Sequence, residues 1–164
     1  MIYLFIVILL LVIAFGGVLL RGAPYVPTLE AQGRAALELL ELKPGQTLLE
    51  LGSGDGKVLL LAAQSGLNAV GIELNPFLVI ISKFRTRHYR QHVTIIWGDF
   101  WRLEWPECDG VFVFLLDRFM PKLDTRMKAL RKPLASFAFK VPGRHPDIEK
   151  NGIFLYRYDT GTRN

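Results

Sequence analysis

Glu50-Leu51-Gly52-Ser53-Gly54-Asp55-Gly56 decides the fold. The stretch follows the apolar Thr47-Leu48-Leu49 and precedes a helix-like segment, Lys57 to Gln64. A strand, a glycine-rich turn and a helix in that order let backbone N–H groups approach a ligand without side chains in the way. A nicotinamide or flavin fingerprint, G-x-G-x-x-G, needs glycine at 52, 54 and 57, and position 57 is Lys. The third glycine instead sits at 56, giving E-x-G-x-G-x-G. Alone, such a loop indicates only a nucleotide-type ligand.

Two further positions sharpen it. Glu73, with Leu74 and Asn75, ends a second apolar run about twenty residues on, where a carboxylate accepts from both hydroxyls of a ribose. Asp99 and Phe100 follow a third run, Val93 to Trp97, where an Asp accepts from an exocyclic adenine amine and an aromatic covers the ring. The plainer alternative makes Glu73 and Asp99 solvated strand ends or helix caps. Three acidic positions closing three successive strand-like runs favour the ligand reading.

Outward from these motifs, apolar runs and helical patterns alternate. Strands are expected at 47–52, 68–73, 93–97, 110–115 and 134–140, with helices from Thr28 to about Leu42 and over 57–65, 76–90 and 119–131. Near-continuous apolar strands alternating with helices mean a parallel sheet covered on both faces, with ligands outside the carboxyl ends of its strands. Ile153 to Tyr158 reads as an added edge strand. The short distance to it requires the last helix and hairpin to be abbreviated. The fold class is therefore α/β: a Rossmann-like, mostly parallel sheet flanked by helices, C-terminally abbreviated, with an N-terminal transmembrane helix.

That last element rests on residues 2–20, which carry no charged side chain. As a helix they reach about 28 Å, close to the thickness of bilayer hydrocarbon. A cleaved signal peptide would begin with a basic residue and end in small ones; here no basic residue precedes the run and Arg21 follows it. The division expected is an anchor over 1–21, a linker over 22–28 and one domain over 29–164. With every Lys and Arg after the run, the domain should face the cytoplasm, or the matrix in an organelle.

The net charge is +5. Basic residues gather at Lys83, Arg85, Arg87 and Arg90, and again from Lys122 to Lys132. They read as solvated helix faces, as attraction to anionic lipid headgroups or as a nucleic-acid surface. One cysteine, Cys108, excludes an internal disulfide and a multi-cysteine zinc site, and no metal is expected.

From Glu50 to Gly56 and at Glu73 and Asp99, the chain resembles the class I methyltransferases, which use S-adenosyl-L-methionine. More narrowly, it is similar to the small membrane-anchored protein-lysine methyltransferases acting on the ATP synthase c-subunit and on adenine nucleotide translocase. The narrower likeness rests on Pro24-Tyr25-Val26-Pro27-Thr28, on Leu51 to Lys57, and on Gly71 to Pro76. It continues through Val113-Phe114 and Met120 to Ser136-Phe137-Ala138-Phe139. The resemblance implies S-adenosylmethionine bound by Glu50, Gly52, Ser53, Gly54, Asp55, Gly56, Glu73, Leu74, Asn75, Asp99 and Phe100. It implies that Tyr25 and Thr28 either close over the methionine end of the cofactor or only fix the linker against the domain, and it implies a lysine of a membrane or membrane-proximal protein as acceptor.

Asp117, in Phe114-Leu115-Leu116-Asp117-Arg118-Phe119, is the ionisable acceptor after the fourth strand. It either orients the acceptor amine or pairs with Arg118 or caps the next helix. A nucleic-acid, lipid or small-molecule methyltransferase and a catalytically silent cofactor-binding module stay open. The turn at Asp117 lacks the Asn/Asp-Pro-Pro-aromatic signature of methylation on base amino groups.

Overall fold

The computed structural model describes residues 1, 2, 5 and 30–158. Apart from Ile2 and Phe5, the run read as an anchor lies outside them, as do the linker, Tyr25 and Thr28. Among the described residues no helix is long and apolar enough to cross a membrane.

The chain runs α1 (Glu30–Leu40), β1 (Thr47–Leu51), α2 (Lys57–Gln64), β2 (Asn68–Glu73), α3 (Pro76–Arg85) and β3 (Val93–Trp97). It continues with β4 (Gly110–Val113), α4 (Met120–Leu130), β5 (Leu134–Phe137), β6 (Ile148–Lys150) and β7 (Ile153–Tyr156). One sheet results, in the order β3-β2-β1-β4-β5-β7-β6. Strands β1 to β5 pair in parallel; β7 pairs antiparallel with β5 and with β6. The strand order reverses between β1 and β4, which is where such sheets open a crevice for ligands.

Alternation along β1 separates two cores. Leu48 joins Ala36, Leu39, Leu59 and Ala62 on the face covered by α1 and α2. Leu49 and Leu51 join Leu123 and Met127 of α4 on the other, together with Val111, Val113 and Tyr156. Close approach on the first face depends on small residues. A Cβ on Gly33 would lie 2.9 Å from Leu61 Cδ1.

Helix ends follow local chemistry. Asn75 caps α3 by accepting from the Phe77 amide, and Pro76 supplies the fixed φ that suits a first helical position. The helix expected over 76–90 stops at Arg85, because Thr86 turns its hydroxyl back onto Ser82 O and residues 87–89 tighten into a 3-10 turn. β5 ends at Phe137 rather than 140, since Ala138 takes a φ of +68°.

The C-terminal expectation divides. Residues 138–147 contain no helix, as anticipated, but the hairpin is formed: β6 is the edge and β7 lies inside it. Asn151 and Gly152, with φ of +52° and +76°, make the two-residue turn that sets Lys150 against Ile153.

Candidate cofactor site

Beyond β1 the ladder runs on into the glycine loop, with Gly52 and Ser53 donating to Ile72 O at 2.8 and 3.2 Å. Gly52, Gly54 and Gly56 all have positive φ, +78°, +55° and +76°. That backbone disfavours any residue with a Cβ. At Gly52 the position of a Cβ meets nothing within 4 Å, so the loop faces open space there. Gly56 is closed instead: a Cβ would sit 2.1 Å from Ser82 Oγ, where α2 begins against α3. Gly71 serves the same loop from β2, since a Cβ there would lie 2.5 Å from Ser53 Oγ and 2.6 Å from Leu59 Cδ1.

Glu73 is buried and aimed into this loop. Its Oε2 accepts from the Gly54 amide at 2.8 Å and its Oε1 from the Asn75 amide at 2.7 Å. Two backbone donors fix the carboxylate and leave further lone pairs for hydroxyls. Its own carbonyl accepts from Gly98 N, tying the ends of β2 and β3 together. Leu74 offers its carbonyl to Trp97 Nε1 at 3.1 Å.

Glu50 is buried beneath the loop with Oε2 unpartnered among the described residues, as is Ser53 Oγ. Burial, with the charges of Asp55 and Glu73 nearby, holds its carboxyl well above the usual carboxylate range, against a smaller opposing effect of the Leu59 amide. Asp55 pairs with Arg85 of α3 at 2.9 Å, so its carboxylate already braces the loop against that helix.

Asp99 is committed in part as well. Its Oδ1 accepts from Trp101 N at 2.8 Å, forming an Asx turn, and its Oδ2 lies 3.6 Å from Arg102 Nε. Sequence reasoning missed what holds the neighbouring Phe100. Arg126 of α4 donates to Phe100 O at 2.6 Å and Leu103 O at 3.1 Å, with its guanidinium 4.1 Å over the Trp105 ring. Trp105 Nε1 donates to the same Phe100 carbonyl at 2.8 Å. A pairing across 26 residues leaves no local pattern to read.

Asp117 lies past β4, exposed, its carbonyl accepting from Met120 N and its carboxylate in no hydrogen bond or ion pair among the described residues. It does not pair with Arg118, which packs 4.7 Å over Phe119 instead. Nearby in the fold, Phe114 packs against Phe137 and Phe139, with ring centroids 4.7 and 6.4 Å away. Cys108 is buried on the second face, which pushes its thiol up to about 11 and leaves it unreactive at neutral pH.

The glycine loop, Glu73 and Asp99 thus converge at the carboxyl ends of β1, β2 and β3. Residues 50–148, more than half of the chain, match the family described as the ANTKMT methyltransferase domain. The chain belongs to that family. The ATP synthase C-subunit lysine N-methyltransferase of Xenopus laevis is 32% identical over 145 residues, covering 84% of this chain and 64% of that protein. The adenine nucleotide translocase lysine N-methyltransferase of Mus musculus is 35% identical over 126 residues, covering 75% of this chain and 53% of that one. The chain thus spans less than two thirds of the length of either relative. An RNA methyltransferase from Salinibacter ruber, solved with S-adenosyl-L-homocysteine, superposes with a TM-score of 0.74 at 27% identity, over 85% of this chain and 98% of that one.

Proposed function

We propose that the protein is an S-adenosylmethionine-dependent methyltransferase acting on a lysine of a membrane or membrane-proximal protein. The observation that carries the cofactor is the buried Glu73 carboxylate, held by the Gly54 and Asn75 amides at the mouth of an open, positive-φ glycine loop. Buried acceptors without partners, Glu50 Oε2 and Ser53 Oγ, fit a ligand that brings amino and hydroxyl donors. When bound, the cofactor supplies an electrophilic methyl carried on a sulfonium.

The chain's own residues bind and orient. Glu50, beneath the open loop, receives the amino end of the cofactor, Glu73 the ribose, and Asp99 with Phe100 the adenine, while Gly52 keeps the approach clear. The Asn75 amide holds Glu73 in position, and Leu74 ties Trp97 to the same rim. On the acceptor side Asp117 orients the amine, and the Phe114, Phe137 and Phe139 rings give it an apolar wall. Deprotonating a lysine from its reference pKa at neutral pH costs about 4–5 kcal/mol. An apolar wall lowers that cost by disfavouring the ammonium form.

The acceptor class draws support from the two lysine methyltransferases and from the uncharged run at 2–20, which as a retained single-pass anchor would confine the domain beside membrane substrates. On this reading the domain faces the cytoplasm or matrix. An RNA acceptor is the second reading, favoured by the Salinibacter ruber structure and the basic clusters. The test is transfer of a labelled methyl from S-adenosylmethionine into membrane proteins and, separately, into RNA, followed by mass spectrometry. Methyl-lysine in a membrane protein is the expected product. Label in RNA alone would replace the reading with the second one.

A further inference from the structure

α3 is built the wrong way round for a helix that only covers a sheet. Its buried side chains are Val79 and Ser82. Ile80, Ile81 and Phe84 are instead 65%, 45% and 68% exposed, and their spacing puts them on one face. Trp97, 66% exposed, extends that apolar surface at the helix's amino end, where its indole is held by Leu74 O. The inversion has a cause within the fold. Ser82 must be the inward residue because it meets Gly56 at the start of α2.

The stretch of chain that carries this face has one sign of charge. From Leu74 to Gly98 there is no Asp or Glu, while Lys83, Arg85, Arg87 and Arg90 all occur there. Arg85 is taken up by Asp55. Lys83, Arg87 and Arg90 are exposed, and Arg87 lies 4.3 Å over the Phe84 ring while donating to Phe84 O.

We propose that Ile80, Ile81, Phe84 and Trp97, bordered by Lys83, Arg87 and Arg90, seat the domain on the surface of an anionic lipid bilayer. Aliphatic and aromatic side chains enter the boundary between headgroups and acyl chains while cations meet lipid phosphates. Charge selects this occupant. A second copy of the chain docked through the same face would set Lys83, Arg87 and Arg90 against themselves, with no acid in the stretch to offset them. The chain's own run 2–20 has no charge to offer that border. Nucleic acid would supply phosphates, but the Phe84 ring is already covered by Arg87 and the branched aliphatics Ile80 and Ile81 have no ring face, which leaves Trp97 alone to stack a base. The proposal does not rest on the cofactor or on the acceptor, so it can fail or stand apart from them.

The test uses the full chain reconstituted in vesicles of phosphatidylcholine, with and without phosphatidylglycerol, carrying bromine on the acyl chains near the carbonyls. Comparison with Trp97→Phe isolates quenching of Trp97 from that of Trp101 and Trp105. The expected result is Trp97 quenching in the phosphatidylglycerol vesicles that weakens without the anionic lipid, as the equilibrium between docked and undocked domain shifts by about fivefold for each basic side chain engaged. Ile80→Glu with Phe84→Glu should cut it on the order of tenfold while leaving the thermal melt unchanged. Lys83→Glu with Arg90→Glu should abolish the dependence on phosphatidylglycerol. Absence of Trp97 quenching, or quenching indifferent to both double variants, overturns the proposal. So does a concentration-dependent dimer with an unquenched Trp97.

Discussion

Glu73→Gln is the sharpest probe of how the loop is held, because the change keeps shape and alters only what the two terminal atoms can do. Both carboxylate oxygens accept, one from Gly54 N at 2.8 Å and one from Asn75 N at 2.7 Å, and the residue is buried. Glutamine has one acceptor and one donor, so either amide orientation turns an NH2 toward a backbone N–H. The variant loses one charge-assisted hydrogen bond and strands a buried donor, which together cost about 2–4 kcal/mol. The same change halves the acceptors available to ribose hydroxyls and loosens Gly54. S-adenosylmethionine affinity should fall about tenfold to a hundredfold, the equivalent of about 1.4–2.8 kcal/mol. Urea unfolding reads the first quantity and calorimetric titration the second. Unfolding within about 0.5 kcal/mol of the parent, with affinity within about twofold, would refute the account of Glu73.

Gly56→Ala places a Cβ 2.1 Å from Ser82 Oγ and 2.9 Å from Ser82 Cβ at a φ of +76°, and should cost about 2–5 kcal/mol in urea unfolding. Adding Ser82→Gly should recover the contact part and leave the backbone part; no recovery would mean the contact is relieved in some other way. For Glu50, a folded-state carboxyl pKa raised by burial means that the proton favours the folded form. Its contribution to stability is present at or below the ordinary value of 4.5 and is lost as pH rises through the raised value. Glu50→Gln should flatten that part of the pH profile and gain stability on its alkaline side; an unchanged profile counts against a protonated Glu50. Asp117→Ala should leave unfolding within about 0.5 kcal/mol, since the residue is exposed, and lower turnover more than cofactor affinity. Equal loss of both would argue against a role at the acceptor.

What could be read from the chain was whatever depends on local pattern. The five parallel strands are short, apolar and separated by helical segments, so their sequence positions carry the signal, and the loop and Glu73 fall at the ends where the pattern puts them. β6 escaped because Ile148-Glu149-Lys150 is exposed and has no apolar alternation, although Asn151-Gly152 carried the hairpin signal. The clamp on Phe100 escaped because Arg126 reaches it from another helix. Asp55 and Asp99 were not legible as braces, since Arg85 and Trp101 N become partners only once the chain is folded. The apolar pattern of α3 reads as burial in sequence, yet the contact between Gly56 and Ser82 turns Ile80 and Phe84 outward. Periodicity gives the face of a helix, not the side on which its partner lies.

The most direct test of the central claim is calorimetric titration of the full chain with S-adenosylmethionine and, separately, with a nicotinamide dinucleotide. Binding of S-adenosylmethionine at micromolar concentrations, with no heat from the dinucleotide, is the predicted result. A chain that is folded by circular dichroism yet binds the dinucleotide, or neither compound, would contradict it.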